Sequence, residues 1–139
     1  MNSGVGPIHW VAPEFFSHHY TEKADVFSLG TLFYAILERD FVMVNGKAYY
    51  GAFKSIPGAG KVGIGYAMAR YDPNTKIQFS FRAQGSNALQ RIALDAMQYD
   101  KDYRPSAAEI HDRVTNVRQS VRLHEPKNQQ EPAATGWCC

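Results

Sequence analysis

Gly58-x-Gly60-x-x-Gly63 is the run most suggestive of chemistry, because closely spaced glycines let backbone N–H groups approach a phosphate. A dinucleotide site needs a strand directly before such a run, a helix directly after it and an acidic residue about 20 positions on. Here Pro57 precedes the run, Gly65 interrupts the turn that follows, and Gln84 stands near the acidic position. The run therefore reads as a flexible connection between two helices. His9, His18, His19, His111 and His124 share no ligand spacing with cysteines or acids, so no metal site is expected. Cys138-Cys139 could accept lipid, but Gly136 holds the Cys position of a C-a-a-X pattern and no basic run precedes the pair. They read as ordinary thiols.

The whole chain narrows the choice of partner. It has 139 residues and a formal charge of +2, too little for counterion-driven binding to nucleic acid without a clustered basic face. No run approaches the about 18 consecutive apolar residues of a spanning helix, and Met1-Asn2-Ser3-Gly4 lacks the regions of a secretory signal. With both cysteines at the end, no disulfide framework is available. An intracellular protein, cytoplasmic or nuclear, with no membrane association is expected.

The elements that must position these residues follow from periodicity and punctuation. Residues 1–10 read as loop, closed by Ala12-Pro13-Glu14. Lys23 to Glu38 is apolar nearly all round, which predicts a buried central helix with Thr21 as N-cap and Glu22 and Asp25 at its positive end. Asn45-Gly46 between the β-prone runs 41–44 and 47–50 predicts a hairpin. Residues 51–65, rich in glycine, read as irregular, and Lys76–Arg82 as extended, with Ile77, Phe79 and Phe81 on one face. Ser86 is placed as the cap of a helix bearing Leu89, Ile92, Ala93, Ala96 and Met97. Ser106-Ala107-Ala108-Glu109 is a capping box opening a helix striped by Ile110, Val114, Val117 and Val121. A polar, aperiodic tail, 124–139, is expected to be disordered.

Three stretches, in order, carry a family resemblance. Gly6-Pro7-Ile8-His9-Trp10-Val11-Ala12-Pro13-Glu14 resembles the end of a protein-kinase activation segment, with its A-P-E. Asp25-Val26-Phe27-Ser28-Leu29-Gly30 resembles the D-x-x-S-[LF]-G that opens kinase helix F, and Asp100 to Ser106 the D-P-x-x-R-P-S between helices H and I. The resemblance implies a mainly α fold: a C-lobe fragment running from the end of the activation segment through helices F to I, with a short β-hairpin insertion, over 1–123. It implies that Glu14 pairs with Arg104, and that Asp25 accepts N–H groups from a catalytic loop outside this chain. Gly30 belongs to the structural set. Gly6, Pro7, Ile8 and Trp10 would form the P+1 loop on which a protein substrate lies, and Ser3 stands where many kinases carry an activating phosphate.

The resemblance also bears on activity. Phosphoryl transfer needs a glycine-rich cover, a Lys–Glu pair, a catalytic Asp and Asn and a Mg-binding Asp, all of which precede A-P-E in kinases. No catalytic residue is therefore expected in this chain. ATP and Mg2+ are cofactors of the parent kinase, and this segment alone is expected to be inactive. The 58–63 run fails as a kinase glycine loop too, since it follows A-P-E and has Gly65 in place of Val. Gly6-Pro7 replaces the Gly-Thr of many Ser/Thr kinases, and Pro7-Ile8-x-Trp10 resembles a tyrosine-kinase P+1 loop. Ser28-Leu29-Gly30 is instead more usual in Ser/Thr kinases, and the long stretch with its hairpin and glycine-rich run before Tyr66-Ala67-Met68 is similar to the Clik subgroup of Ser/Thr kinases. Ser/Thr specificity is preferred, with a tyrosine or dual-specificity enzyme as an alternative. From another class comes a pseudokinase or truncated binding module that docks partners on helices G to I.

Overall fold

The structure, a computed structural model, describes residues 7–124. Its helices are α1 (Glu22–Glu38), α2 (Ile64–Arg70), α3 (Asn87–Ala96) and α4 (Ala107–His124). Strands β1 (Phe41–Val44), β2 (Lys47–Tyr50), β3 (Phe53–Ile56) and β4 (Gly60–Gly63) lie between α1 and α2. Short 3₁₀ turns cover Pro7–His9, Pro13–Ser17, Phe81–Ala83 and Lys101–Tyr103.

Helix α1 organises the rest. Thr21 Oγ1 accepts the Lys23 N–H at 3.3 Å, satisfying one of the free donors of the first turn. Arg39, in the left-handed region at φ 55°, ends the helix. One face of α1 packs Phe27 and Tyr34 with Ala12, Ala52, Ile64, Met68, Ala93 and Met97. Another packs Val26 with Ile92, Ala96 and Ile110. Fully burying a side chain such as Phe27 contributes about 1.5–3 kcal/mol, so these two clusters carry the fold. Helices α1 and α3 approach closely because Gly30 faces Ala96 and Met97; a Cβ there would lie 2.8 Å from both side chains.

The apolar circumference of α1 is only partly covered, contrary to expectation. Leu32 and Ile36, one turn apart, are 43% and 62% exposed. An all-round apolar helix needs cover on every side, and the described residues cover this face only in part.

The insertion holds two hairpins, not one. The β1–β2 pair forms as expected, with Asn45 and Gly46 at φ 50° and 77° as a type I′ turn requires. Residues 51–65 are ordered rather than irregular: β3 pairs antiparallel with β4, Phe53 opposite Gly63. The turn is closed by the Ala59 N–H on the Ile56 carbonyl at 3.0 Å. Pro57 and Gly58, the latter at φ 81°, supply the residues a type II turn demands. The glycine spacing reads as loop because it hides this turn chemistry.

Four smaller expectations also change. The 76–82 segment joins no sheet; Ile77 and Phe79 pack on the core, but Phe81 turns outward, 76% exposed, at the start of a 3₁₀ turn. Ser86 begins α3 through its carbonyl, which accepts the Gln90 N–H at 2.9 Å, and not through its side chain. In α4 the capping box is reciprocal, Ser106 N–H to Glu109 Oε2 at 2.6 Å and Glu109 N–H to Ser106 Oγ at 3.1 Å. Val114 and Val117 pack inward, whereas Val121 is exposed, beyond the reach of α3. His124, assigned to the tail, closes α4, and residues 125–139 lie outside the described part.

Candidate functional site

Residues 7–21 cross the molecule ahead of α1 and are fastened at two places. The first is Glu14. Pro13 opens a 3₁₀ turn that presents its carboxylate to Arg104, which follows the Lys101–Tyr103 turn. Nη1 donates to Oε1 at 2.6 Å and Nη2 to Oε2 at 2.9 Å. The remaining donors go to backbone carbonyls: Nε to Gln98 at 2.7 Å, Nη1 to Lys23 at 2.8 Å and Nη2 to Tyr99 at 3.0 Å. All five guanidinium N–H groups are thereby used. The guanidinium also lies 4.9 Å from the centre of the Phe27 ring, and Lys23 Nζ returns a hydrogen bond to the Arg104 carbonyl. The Arg104 side chain is 0% exposed and that of Glu14 12%. Burial pushes the Glu14 carboxyl upward. The Arg104 hydrogen bond, a backbone hydrogen bond and the charges of Arg104 and Lys101 outweigh it, holding the carboxyl below the ordinary range.

The second fastening lies at residues 8–12. Ser28 Oγ donates to the Trp10 carbonyl at 2.7 Å, tying the segment to α1. The opposite side meets glycines. A Cβ on Gly63 would come within 3.1 Å of the His9 Cα and the Ile8 carbonyl, and one on Gly65 within 2.0 Å of the Val11 carbonyl. The last glycine of the 58–63 run thus makes room for protein backbone, not for phosphate. The signal was present, since glycine inside a strand marks close backbone approach. The His9 ring lies 5.2 Å from the Phe53 ring and 6.4 Å from Tyr49. Neither ring nitrogen has a hydrogen-bond partner among the described residues, and desolvation lowers its pKa from 6.5.

Of the residues singled out in the sequence, Ile8 is exposed and Trp10 half-buried on this segment; Pro7 begins its first turn. Gly6 and Ser3, with Cys138 and Cys139, lie outside the described residues. Asp25 is exposed in the first turn of α1 and makes no side-chain hydrogen bond among the described residues. Gly30 is enclosed by α3, a packing role. A groove of about 610 Å3 runs between the Pro13–Ser17 turn, the end of α2 and residues 99–101. Arg70 stacks over Phe16 on its wall, 5.8 Å from the ring centre.

One buried charge gave no sequence signal beyond its place at a helix end. Glu38, 5% exposed, accepts the Ser80 N–H at 2.6 Å and the Ser80 hydroxyl at 2.8 Å. It reads as the polar end of a helix, because its partner is 42 residues away.

Among the described residues no group of three His, Cys, Asp or Glu could hold an ion, and the glycine run lies in the β3–β4 hairpin. No described helix is long and apolar enough to cross a membrane. The family model described as protein kinase domain matches residues 1–114.

Proposed function

The chain belongs to the protein kinase domain family, the phosphotransferases that use ATP and Mg2+ on protein substrates, and from that membership we propose that it is the second half of a Ser/Thr-kinase C-lobe. In this reading α1 to α4 are helices F to I, and the segment ending in Glu14 is the close of the activation segment. Gly6, Pro7, Ile8 and Trp10 supply the P+1 shelf for a protein substrate. Asp25 awaits the catalytic loop, and Ser3 is the activating phosphosite. The parent, Clik-like within the Ser/Thr kinases, works inside the cell, in cytoplasm or nucleus, without nucleic acid or membrane. Tyrosine or dual specificity is the alternative that Pro7 favours.

The single observation that carries the reading is the pairing of Glu14 with Arg104. Two motifs far apart in sequence meet with a carboxylate and a guanidinium matched atom for atom. The uncovered face of α1 supports it as well. Leu32, Ile36 and the exposed Asp25 together offer one apolar and one acidic surface to a further part of the domain.

A non-catalytic binding module is the second reading. It is favoured by the groove between the Pro13–Ser17 turn and α2. Calorimetric titration of the 139-residue chain with Mg·ATP tests the proposal. No saturable binding is expected, whereas a complete domain containing this segment should bind ATP and phosphorylate Ser/Thr peptides. Saturable binding by the chain alone would overturn the assignment as a partial lobe. An intact domain without transfer would favour the binding module.

A further inference from the structure

Residues 75–80 form no helix or strand, and Ser80 ends this stretch exposed, with extended backbone at φ −86° and ψ −176°. Its main-chain and side-chain donors are both spent on one carboxylate, the two oxygens of Glu38. Glu38 in turn is buried at the end of α1 and receives nothing else from the segment except through its carbonyl, where Arg82 Nη1 donates at 3.3 Å. The same serine oxygen accepts the Arg82 N–H at 3.2 Å and so starts the 3₁₀ turn that faces Phe81 outward. Ser80 is therefore the polar anchor that holds the link between α2 and α3 to the end of α1, beside the packing of Ile77 and Phe79 on the core.

We propose that Ser80 is a phosphorylation site, and that a phosphate there releases segment 76–82 from the end of α1. The exposed, extended serine has the form in which a protein kinase takes its substrate. In the transfer, catalysed by a separate Ser/Thr protein kinase using ATP, Ser80 Oγ forms a bond to the γ-phosphorus. The bond from that phosphorus to the β,γ-bridging oxygen breaks and ADP leaves. The hydroxyl proton passes to the base of the acting kinase and then to water. The product has lost its donor and gained a charge of about −1.5 to −2 at pH 7. Glu38 Oε2, itself buried, then faces an anion instead of an O–H. A buried charge whose partner is removed is strongly destabilised. The Arg82 side chain can follow the phosphate outward, because its guanidinium makes one hydrogen bond among the described residues, to a carbonyl. Ile77 and Phe79, which pack on the core, lose the anchor that ends their segment.

The test uses the full 139-residue chain made with phosphoserine at position 80, beside the unmodified chain and a chain phosphorylated at exposed Ser55 of β3. Amide hydrogen exchange at Ser80 and Arg82 should accelerate about tenfold or more with phosphate on Ser80 and stay unchanged with phosphate on Ser55. Unchanged exchange at Ser80 overturns the release. With Glu38→Gln the acceleration should shrink, since a carboxamide does not repel the phosphate; an equal acceleration overturns the charge mechanism. Should that variant fail to fold, the ratio of phosphorylated to unmodified exchange rates is compared below and above the second phosphate pKa, about 6. A smaller ratio below it is expected, and an equal ratio counts against the proposal. Mass spectrometry of the chain recovered from eukaryotic cells should place phosphate on Ser80; peptides across 77–82 that are never modified overturn the assignment.

Discussion

Arg104 and Glu14 meet through two parallel hydrogen bonds of 2.6 and 2.9 Å, and the guanidinium spends its other donors on three carbonyls from two further segments. The side chain is therefore a junction, joining the segment before α1, α1 itself and the end of α3. Arginine suits the place because its planar fork matches a carboxylate and still leaves donors on its outer edge.

Arg104→Ala should cost about 3–5 kcal/mol, because five oxygens lose their donor at a largely buried site. Glu14→Ala should cost less, since Arg104 keeps its three carbonyl acceptors. The double variant should cost clearly less than the sum of the singles, as contacting residues are not additive. Denaturant unfolding of the four proteins measures the cycle. Additive losses under about 1 kcal/mol each would mark a surface pair.

Acid should loosen this junction. The Glu14 carboxyl is held below its ordinary value of 4.5, so the folded chain takes up this proton less readily than the unfolded one. Its contribution is complete above 4.5 and is lost as pH falls through the lower, folded value. Stability measured from pH 6 downward should fall more steeply in the wild type than in Glu14→Gln. Parallel curves would show that the pair does not govern acid sensitivity.

Gly65→Ala should disturb the segment before α1 more than Gly30→Ala. The added carbon at Gly65 meets the Val11 main-chain carbonyl, which has no room to yield. At Gly30 it meets the Ala96 and Met97 side chains. There, overpacking of about 1–3 kcal/mol is partly offset by about 1 kcal/mol of helix propensity. The Trp10 emission maximum of the folded protein, in a Trp137→Phe background, should shift for Gly65→Ala and stay near wild type for Gly30→Ala.

Pro7→Thr, made in a complete domain, should change acceptor preference and leave the melting temperature within a few degrees of wild type. Proline supplies no hydroxyl, whereas threonine restores the group that Ser/Thr kinases place beside their catalytic Asp. Peptide arrays with Ser, Thr and Tyr acceptors check it. Equal rates on all three in both proteins would remove Pro7 from the specificity set.

Local chemistry is what could be read without coordinates. Thr21, the Ser106–Glu109 box and Asn45-Gly46 each act within four residues, so their types and spacing announce the cap or turn they form. The motif order likewise led to Glu14 and Arg104 as a pair. What stayed hidden depends on chain segments that meet only after folding. Gly63 and Gly65 look like a loop until residues 8–12 lie against them. Glu38 looks like a solvated helix end until Ser80 arrives. Leu32 and Ile36 look like core, and only the packing of α1 against its neighbours determines that this face is left open. Periodicity reports that a face is apolar; which partner covers it is a property of the three-dimensional arrangement.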